Sequence, residues 1–190
     1  KARPSYLKAD DSFERSRLTV VSAAVALKAA FGLLADEAKI TGKGSAPGLG
    51  WPDYARFDCA SCHHELERPS WRQERGYSST PGRPPVNEWP LMMAQLGVEH
   101  LAKDKDEAKS LKTELKDHLA AFDDASKARP FGRKSEIAVA GAKFSGWAER
   151  LAGQLSKAKY DKVAVSALLK ALLGEASASG KALDYEAALT

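Results

Sequence analysis

Apolar side chains recur at helical spacing along most of this 190-residue chain, and this spacing constrains its fold more than any other feature. In the span 11–40 they fall three or four residues apart, which places them on one face of a helix. This stripe consists of Val20, Ala24, Leu27, Phe31, Leu34 and Ala38. A second stripe, in the span 135–160, consists of Ile137, Ala140, Phe144, Trp147, Leu151 and Leu155. Both spans are predicted to form long amphipathic helices.

Shorter helical patterns occupy most of the rest of the chain. Helices are predicted over 88–101, 104–124, 161–173 and 182–190, with Asp161 as an N-cap. The stripe of the second of these is Ala108, Leu111, Leu115, His118 and Phe122. Glycine and proline mark loops at 41–50, 128–132 and 174–180. No stretch has strand character, so the sequence predicts an all-α helical bundle, and its length suits one domain over 1–190.

Both cysteines of the chain stand two residues apart in the sequence Phe57-Asp58-Cys59-Ala60-Ser61-Cys62-His63-His64. Covalent haem attachment requires this spacing, because two thiols about one helical turn apart can reach the two vinyl groups of one haem. The histidine that follows directly can then bind the iron. We therefore predict one haem c, held by Cys59 and Cys62, with His63 as the proximal axial ligand. A helix of one or two turns is expected over 59–66.

Three other roles for the two cysteines carry less weight. A thioredoxin-like dithiol usually opens a helix after a strand, and no strand pattern precedes it here. A structural zinc ion needs four ligands, which His63 or His64 and one distant histidine would complete only awkwardly. A disulfide across so short a loop would be strained.

The segment 67–90 combines five prolines and four arginines with Trp71, Tyr77 and Trp89, so it is predicted to be a long irregular loop. Such a loop after the haem motif could cover the macrocycle while Arg72 or Arg83 binds the propionates bidentately. His64 is a further candidate for a propionate contact. An ordinary surface loop with solvated arginines fits the same composition equally well.

The second axial position of the iron has two candidate ligands in this chain, His100 and His118. A lone histidine on an apolar stripe, such as His118, is more often a partly buried packing residue than a ligand. Met92 and Met93 are expected to fill the core. The second ligand could also come from outside this chain, or the position could be open.

Charge and hydropathy restrict the partners. The chain has 29 basic and 25 acidic residues, a net charge of +4 that is too small and too dispersed to indicate nucleic acid. The apolar span 18–34 is interrupted by Lys28, so it is expected to be a core helix and not a transmembrane segment. Haem attachment of this kind takes place after export, which predicts an extracytoplasmic location such as the periplasm.

The motif and its flanks resemble a known group of proteins. The residues 57–66, followed by Pro69-Ser70-Trp71-Arg72-Gln73 and by Gly82-Arg83-Pro84, resemble the C-terminal haem-binding region of planctomycete-like multihaem c-type cytochromes. Those proteins are similar to the cytochrome c554 and hydroxylamine-oxidoreductase group. The resemblance covers most of 11–90 and implies bis-histidine haems packed for electron conduction. This chain has one motif only, so it is expected to be a C-terminal fragment or a single-haem offshoot.

The sequence thus predicts a c-type cytochrome module that transfers single electrons between extracytoplasmic redox proteins, or between other haem domains of a larger cytochrome. Its haem-binding part would span about 11–125 and its helical C-terminal part about 135–190. The rival is a haem enzyme or ligand-binding haem protein whose open distal site takes peroxide or a small nitrogen compound. A third hypothesis is that the chain is an interaction module, which docks a partner through Ala164, Leu168 and Leu172. No acid-base pair or nucleophile stands out, which favours a carrier over an enzyme.

Overall fold

The computed structural model describes residues 13–40, 51–52, 89–102, 104–128 and 131–179. Within these ranges the chain forms five helices and no strand, and helices account for 86% of the residues. In chain order they are α1 (Glu14–Lys39), α2 (Trp89–Leu101), α3 (Lys105–Ala125), α4 (Lys134–Lys157) and α5 (Lys162–Ser179). The prediction of an all-α chain is therefore confirmed for this part of the molecule.

The pairing of α1 with α4 is the most extensive contact between helices. Every residue of the two predicted apolar stripes is buried, including Phe31, Leu34, Phe144 and Leu155 at 0–2% exposure. Burial of large apolar side chains stabilises a fold by about 1.5–3 kcal/mol each. Both stripe predictions are confirmed, and the α1–α4 interface forms the centre of the core.

Small residues allow these two helices to approach closely. A Cβ atom added at Gly141 of α4 would lie 2.9 Å from the carbonyl oxygen of Phe31 and 3.2 Å from the Cβ of Ala35, both in α1. One turn further along α4, the Ser145 hydroxyl donates a hydrogen bond of 2.9 Å to the carbonyl oxygen of Lys28. Side chains larger than these would separate the helices, as is usual for interfaces packed to crystal-like density.

Helices α2 and α3 complete the core around this pair. α2 packs on α1, α3, α4 and α5, and a Cβ added at its Gly97 would lie 3.0 Å from Val20 and 3.1 Å from Leu155. α3 begins after Asp104, whose carboxylate accepts hydrogen bonds from the backbone N–H groups of Asp106 and Glu107. Of the stripe predicted for α3, Leu115 and Phe122 are buried, whereas Ala108, Leu111 and His118 are half-buried.

The last described helix, α5, differs from its prediction at the C-terminal end. Asp161 caps it as predicted, with its carboxylate accepting from the N–H groups of Val163 and Ala164. The loop predicted from residue 174 is wrong for 174–179, because α5 continues to Ser179. Leu168 and Leu172 pack against the core, which accounts for two members of the stripe considered for partner docking.

Helix α1 is also long and apolar enough to cross a membrane by length and composition alone, with a mean hydropathy of 2.0 and 39% of its most apolar window buried inside the protein. Length and composition therefore do not exclude a membrane-spanning role for α1. The expectation that α1 is a core helix rests on its packing against α4. Core helices of soluble proteins and signal sequences pass the same test. The buried stripe of α1 accounts for its apolar character on one face.

Candidate functional site

Most of the residues predicted to bind haem lie outside the described part of the chain. These are Cys59, Cys62, His63, His64, Arg72 and Arg83, together with the predicted loop that carries the two arginines. Their assignments stay predictions. The two histidines considered for the second axial position, His100 and His118, are both described, and they have different surroundings.

His100 lies in the last turn of α2, beside the connection between α4 and α5. Its ring packs against the ring of Tyr160, with the centroids 4.5 Å apart and 32° between the planes. The Tyr160 hydroxyl donates a hydrogen bond of 3.2 Å to the carbonyl oxygen of Leu155. Because Leu155 is fully buried in the core, this contact ties the tyrosine ring, and the histidine against it, to the rigid centre of the bundle.

The two ring nitrogens of His100 differ. Nε2 is buried and has no hydrogen-bond partner. The backbone of Lys159 acts on the imidazole as a hydrogen-bond partner that raises its pKa. In a neutral imidazole one nitrogen carries the proton and the other a lone pair, and binding a metal through Nε2 requires the lone pair on that atom.

The pKa of His100 is shifted in the direction that favours the neutral ring. Burial lowers the pKa of His100 below its ordinary value, although the backbone hydrogen bond to Lys159 and the carboxylate of Asp161 both oppose the shift. The pKa of Asp161 is itself lowered, first by the backbone hydrogen bond from Ala164 and then by its side-chain contact with Lys159. The lowered pKa favours the neutral imidazole, which is the form that ligates metals.

The same corner of the molecule holds one arginine. The guanidinium of Arg17 in α1 donates a hydrogen bond of 3.2 Å to the carbonyl oxygen of Ser156 and pairs with Glu14. Burial raises the pKa of Tyr160, and the positive charge of Arg17 acts against that rise. The hydrogen bond from Arg17 to Ser156 therefore joins the start of α1 to the end of α4. The connection that carries Tyr160 follows directly after this point.

His118 lies in an aromatic cluster between α1, α3 and α4. Its ring is nearly parallel to that of Phe144, with centroids 5.6 Å apart and 10° between the planes, and it lies 5.8 Å from Trp147. The indole N–H of Trp147 donates to the carboxylate of Glu114 at 3.2 Å. Phe31 completes the cluster, 4.1 Å from Phe144.

Burial and charge also lower the pKa of His118. Burial is the largest cause, followed by the positive charge of Arg150, while Glu114 and Asp117 act in the opposite direction and Lys143 adds a small further lowering. In contrast to His100, His118 has no buried ring nitrogen without a partner. Its contacts are those of a half-buried packing residue, which is the role that its position on an apolar stripe favours.

Within the described ranges, no group of three or more His, Cys, Asp or Glu side chains could hold a metal ion. A haem iron differs from a bare metal ion, because the porphyrin supplies four of its ligands and the protein only one or two. A haem would therefore require only one or two side-chain ligands from the protein, and the search for larger ligand groups does not bear on such a site.

Comparison with protein-family models, with curated proteins and with solved structures finds no match for this chain. The assignment of a function therefore rests on the motif in the sequence and on the surroundings of the histidines.

The residues that distinguish His100 from His118 were not singled out from the sequence. Lys159 and Tyr160 lie in a short connection between two helices, far along the chain from His100, and no local pattern links them to it. Only the packing of α2 against α5 and α4 brings them together.

Proposed function

We propose that this chain is a c-type cytochrome module that carries one covalent haem and transfers single electrons between extracytoplasmic redox partners. The observation that carries the proposal is the sequence Cys59-Ala60-Ser61-Cys62-His63, in which both cysteines of the chain precede a histidine at the spacing that haem attachment requires. When bound, the haem supplies a one-electron couple between ferric and ferrous iron.

The two cysteines would hold the group covalently. Each thiol adds across one vinyl C=C bond: the sulfur bonds to one vinyl carbon, the thiol hydrogen goes to the other, and nothing leaves. The addition is redox-neutral, so it needs no oxidant. His63 would bind the iron, while Arg72, Arg83 or His64 would pair with the propionates through charge-assisted hydrogen bonds.

Two features of the described residues support this proposal. The helical framework resembles the all-α setting in which c-type haems are commonly held, and it contains in His100 an imidazole with a lowered pKa and a buried, unpartnered Nε2. The remaining polar groups near that histidine are engaged with each other: Tyr160 with Leu155, and Arg17 with Ser156 and Glu14. They offer no arrangement for acid-base or nucleophilic chemistry.

The partners are proposed to be redox proteins or other haem domains of a larger cytochrome. The net charge of +4 gives a mild attraction to acidic partners, which is screened over about 8 Å at physiological ionic strength. An extracytoplasmic compartment follows from the proposed attachment chemistry. Detection of the haem-bearing form only when the chain is directed to the periplasm would support it, and equal haem attachment in the cytoplasm would contradict it.

Covalent attachment is tested by expressing the chain in a bacterium with c-type cytochrome maturation and measuring haem in the purified, denatured protein. We expect one haem per chain by pyridine haemochrome and intact mass. The double variant Cys59→Ala/Cys62→Ala should lose it, and each single variant should show the shifted α-band of a haem held by one thioether. Ser61→Ala is the matched control, because it changes the motif without removing a ligand. Full covalent haem in the double variant would refute the proposal.

The rival function, a haem enzyme or ligand-binding protein with an open distal site, predicts a different response to small ligands. A carrier with both axial positions occupied binds CO and cyanide slowly, because a protein ligand must first leave. An open site binds them rapidly. Rapid binding by the wild-type protein, together with turnover of peroxide or a small nitrogen compound, would replace the carrier proposal with the rival.

A further inference from the structure

We propose that His100 supplies the second axial ligand to the haem iron, through its Nε2 atom, and that Lys159 and Tyr160 hold it in position. This inference rests on the proposed function, which itself leaves that position unassigned between His100, His118 and a ligand from outside the chain. It depends on three observations: the unpartnered Nε2 of His100, the contacts of its ring with Lys159 and Tyr160, and the different surroundings of His118.

The first observation is the state of Nε2. A buried nitrogen without a partner loses its hydrogen bonds to water and gains nothing in return, so such atoms are rare in folded proteins and each one needs an explanation. His100 Nε2 is such an atom among the described residues. A bond to iron would satisfy it fully, because its lone pair is what the metal requires.

The second observation is the orientation of the ring. Histidines that bind metals usually donate their other ring N–H to a backbone carbonyl or a carboxylate, which fixes both the tautomer and the plane of the ring. The backbone of Lys159 acts on His100 as a hydrogen-bond partner, and the Tyr160 ring packs against the imidazole with the centroids 4.5 Å apart. The tyrosine is held in turn by its hydrogen bond to Leu155.

The third observation separates the two candidates. The His118 ring packs against Phe144 and Trp147, and it lacks a buried nitrogen that needs a partner. For this ring to reach a haem it would have to leave the aromatic cluster. The His100 ring could keep its packing against Tyr160 on ligation, and the atoms that cover Nε2 would move aside.

The chain connection permits this ligation. His63 precedes α2, and residues 64–88 join them; at about 3.3 Å per extended residue they can span far more than the length of a helix. From the first residue of α2 to His100 the helix rises about 17 Å, at 1.5 Å per residue. The number of residues between His63 and His100 is therefore large enough for both to bind one iron.

The test compares His100→Ala with His118→Ala in the haem-loaded, full-length protein, by optical and electron paramagnetic resonance spectra. Wild type and His118→Ala should be low-spin, whereas His100→Ala should lose the low-spin spectrum and bind CO rapidly. Added imidazole should restore the low-spin state in His100→Ala. If that variant does not accumulate, His100→Met is examined instead, and a low-spin spectrum with a changed ligand signature and a raised potential is expected.

Each outcome decides a separate point. A low-spin His100→Ala protein that resembles wild type would overturn the inference, and would assign the nitrogen to another partner such as a buried water. A high-spin wild type would also overturn it, and would favour the open-site rival. Wild-type protein without covalent haem would refute the proposed function itself. As a check on positioning, Tyr160→Ala should give a partly high-spin mixture, while Tyr160→Phe, which keeps the ring, should stay low-spin.

Discussion

The close approach of α1 and α4 can be tested by adding a single methyl group at two glycines of the same helix. Gly141 faces α1, and a Cβ atom there would lie 2.9 Å from the carbonyl oxygen of Phe31. Gly153 is exposed, and a Cβ atom there would meet nothing within 4 Å. Gly141→Ala and Gly153→Ala are thus the same substitution in two settings, one against a backbone and one in open space.

The expected magnitude follows from two terms. Replacing a helical glycine by alanine favours the helix by about 1 kcal/mol, and this gain is common to both variants. At Gly141 the added methyl group meets backbone that cannot move aside, and overpacking of this kind costs about 1–3 kcal/mol. We expect Gly153→Ala to be stabilised by about 1 kcal/mol, and Gly141→Ala to be less stable than Gly153→Ala by about 1–3 kcal/mol.

The assay is urea unfolding of the haem-loaded variants, followed by far-UV circular dichroism and extrapolated linearly to water. Thermal unfolding should give the same order, at about 2–4 °C in Tm for each kcal/mol. Ala35→Gly should rescue Gly141→Ala only in part, because it removes the contact at 3.2 Å and leaves the one at 2.9 Å with the Phe31 carbonyl. Equal stabilisation by the two alanine variants would refute the proposed packing of α1 on α4.

Three further predictions concern the N-cap of α3, the glycine before α4 and the half-buried His118. Asp104→Ala should destabilise the protein by about 1 kcal/mol in urea unfolding, because it removes the N-cap of α3, whereas Asp104→Asn should retain most of the stability. Gly132→Ala should cost at least about 1 kcal/mol in the same assay, since Gly132 has a φ of 82° and an added Cβ would lie 2.6 Å from the carbonyl oxygen of Ala125. For His118, whose pKa is lowered by burial and by Arg150, the unfolded chain takes up a proton near pH 6.5 that the folded protein resists. Stability should therefore be full above that pH and fall as the pH drops from 7 to 5, and His118→Gln should fall less steeply; an identical pH dependence would contradict the assignment.

The sequence was sufficient for the core because the core depends on a periodic pattern. All the residues named in the stripes of α1 and α4 are buried, since apolar side chains three and four residues apart can leave water together only on one helical face. The loop expected after residue 173 shows the limit of this reasoning. Gly174 costs the helix about 1 kcal/mol, and the Ala and Glu residues that follow favour helix enough to continue α5.

The candidate site was predictable only in its residue types. The motif names the cysteines and the first histidine without reference to any fold, because the proposed haem attachment would dictate their spacing. The choice between His100 and His118 as the second ligand depends instead on tertiary contacts. Both are histidines on helices with an apolar face, and both have a lowered pKa, so neither charge nor periodicity separates them. Their ring contacts and the unpartnered Nε2 of His100 do, and the contacting residues come from segments that only the tertiary fold brings near.

The position of His100 also bears on how a haem would be held. Its ring is fixed by Lys159 and Tyr160, and these residues are fixed by Leu155, by the Asp161 cap of α5 and, through Ser156, by Arg17 of α1. On our proposal, the distal ligand thus belongs to the helical core, while both thioether bonds and the proximal ligand belong to the motif at 59–63. One haem would then join the motif to the core. Loss of the His100 bond should consequently lower the unfolding free energy of the holoprotein more than that of the Cys59→Ala/Cys62→Ala protein, which lacks the covalent haem. An equal loss in the two would show that His100 contributes to packing alone.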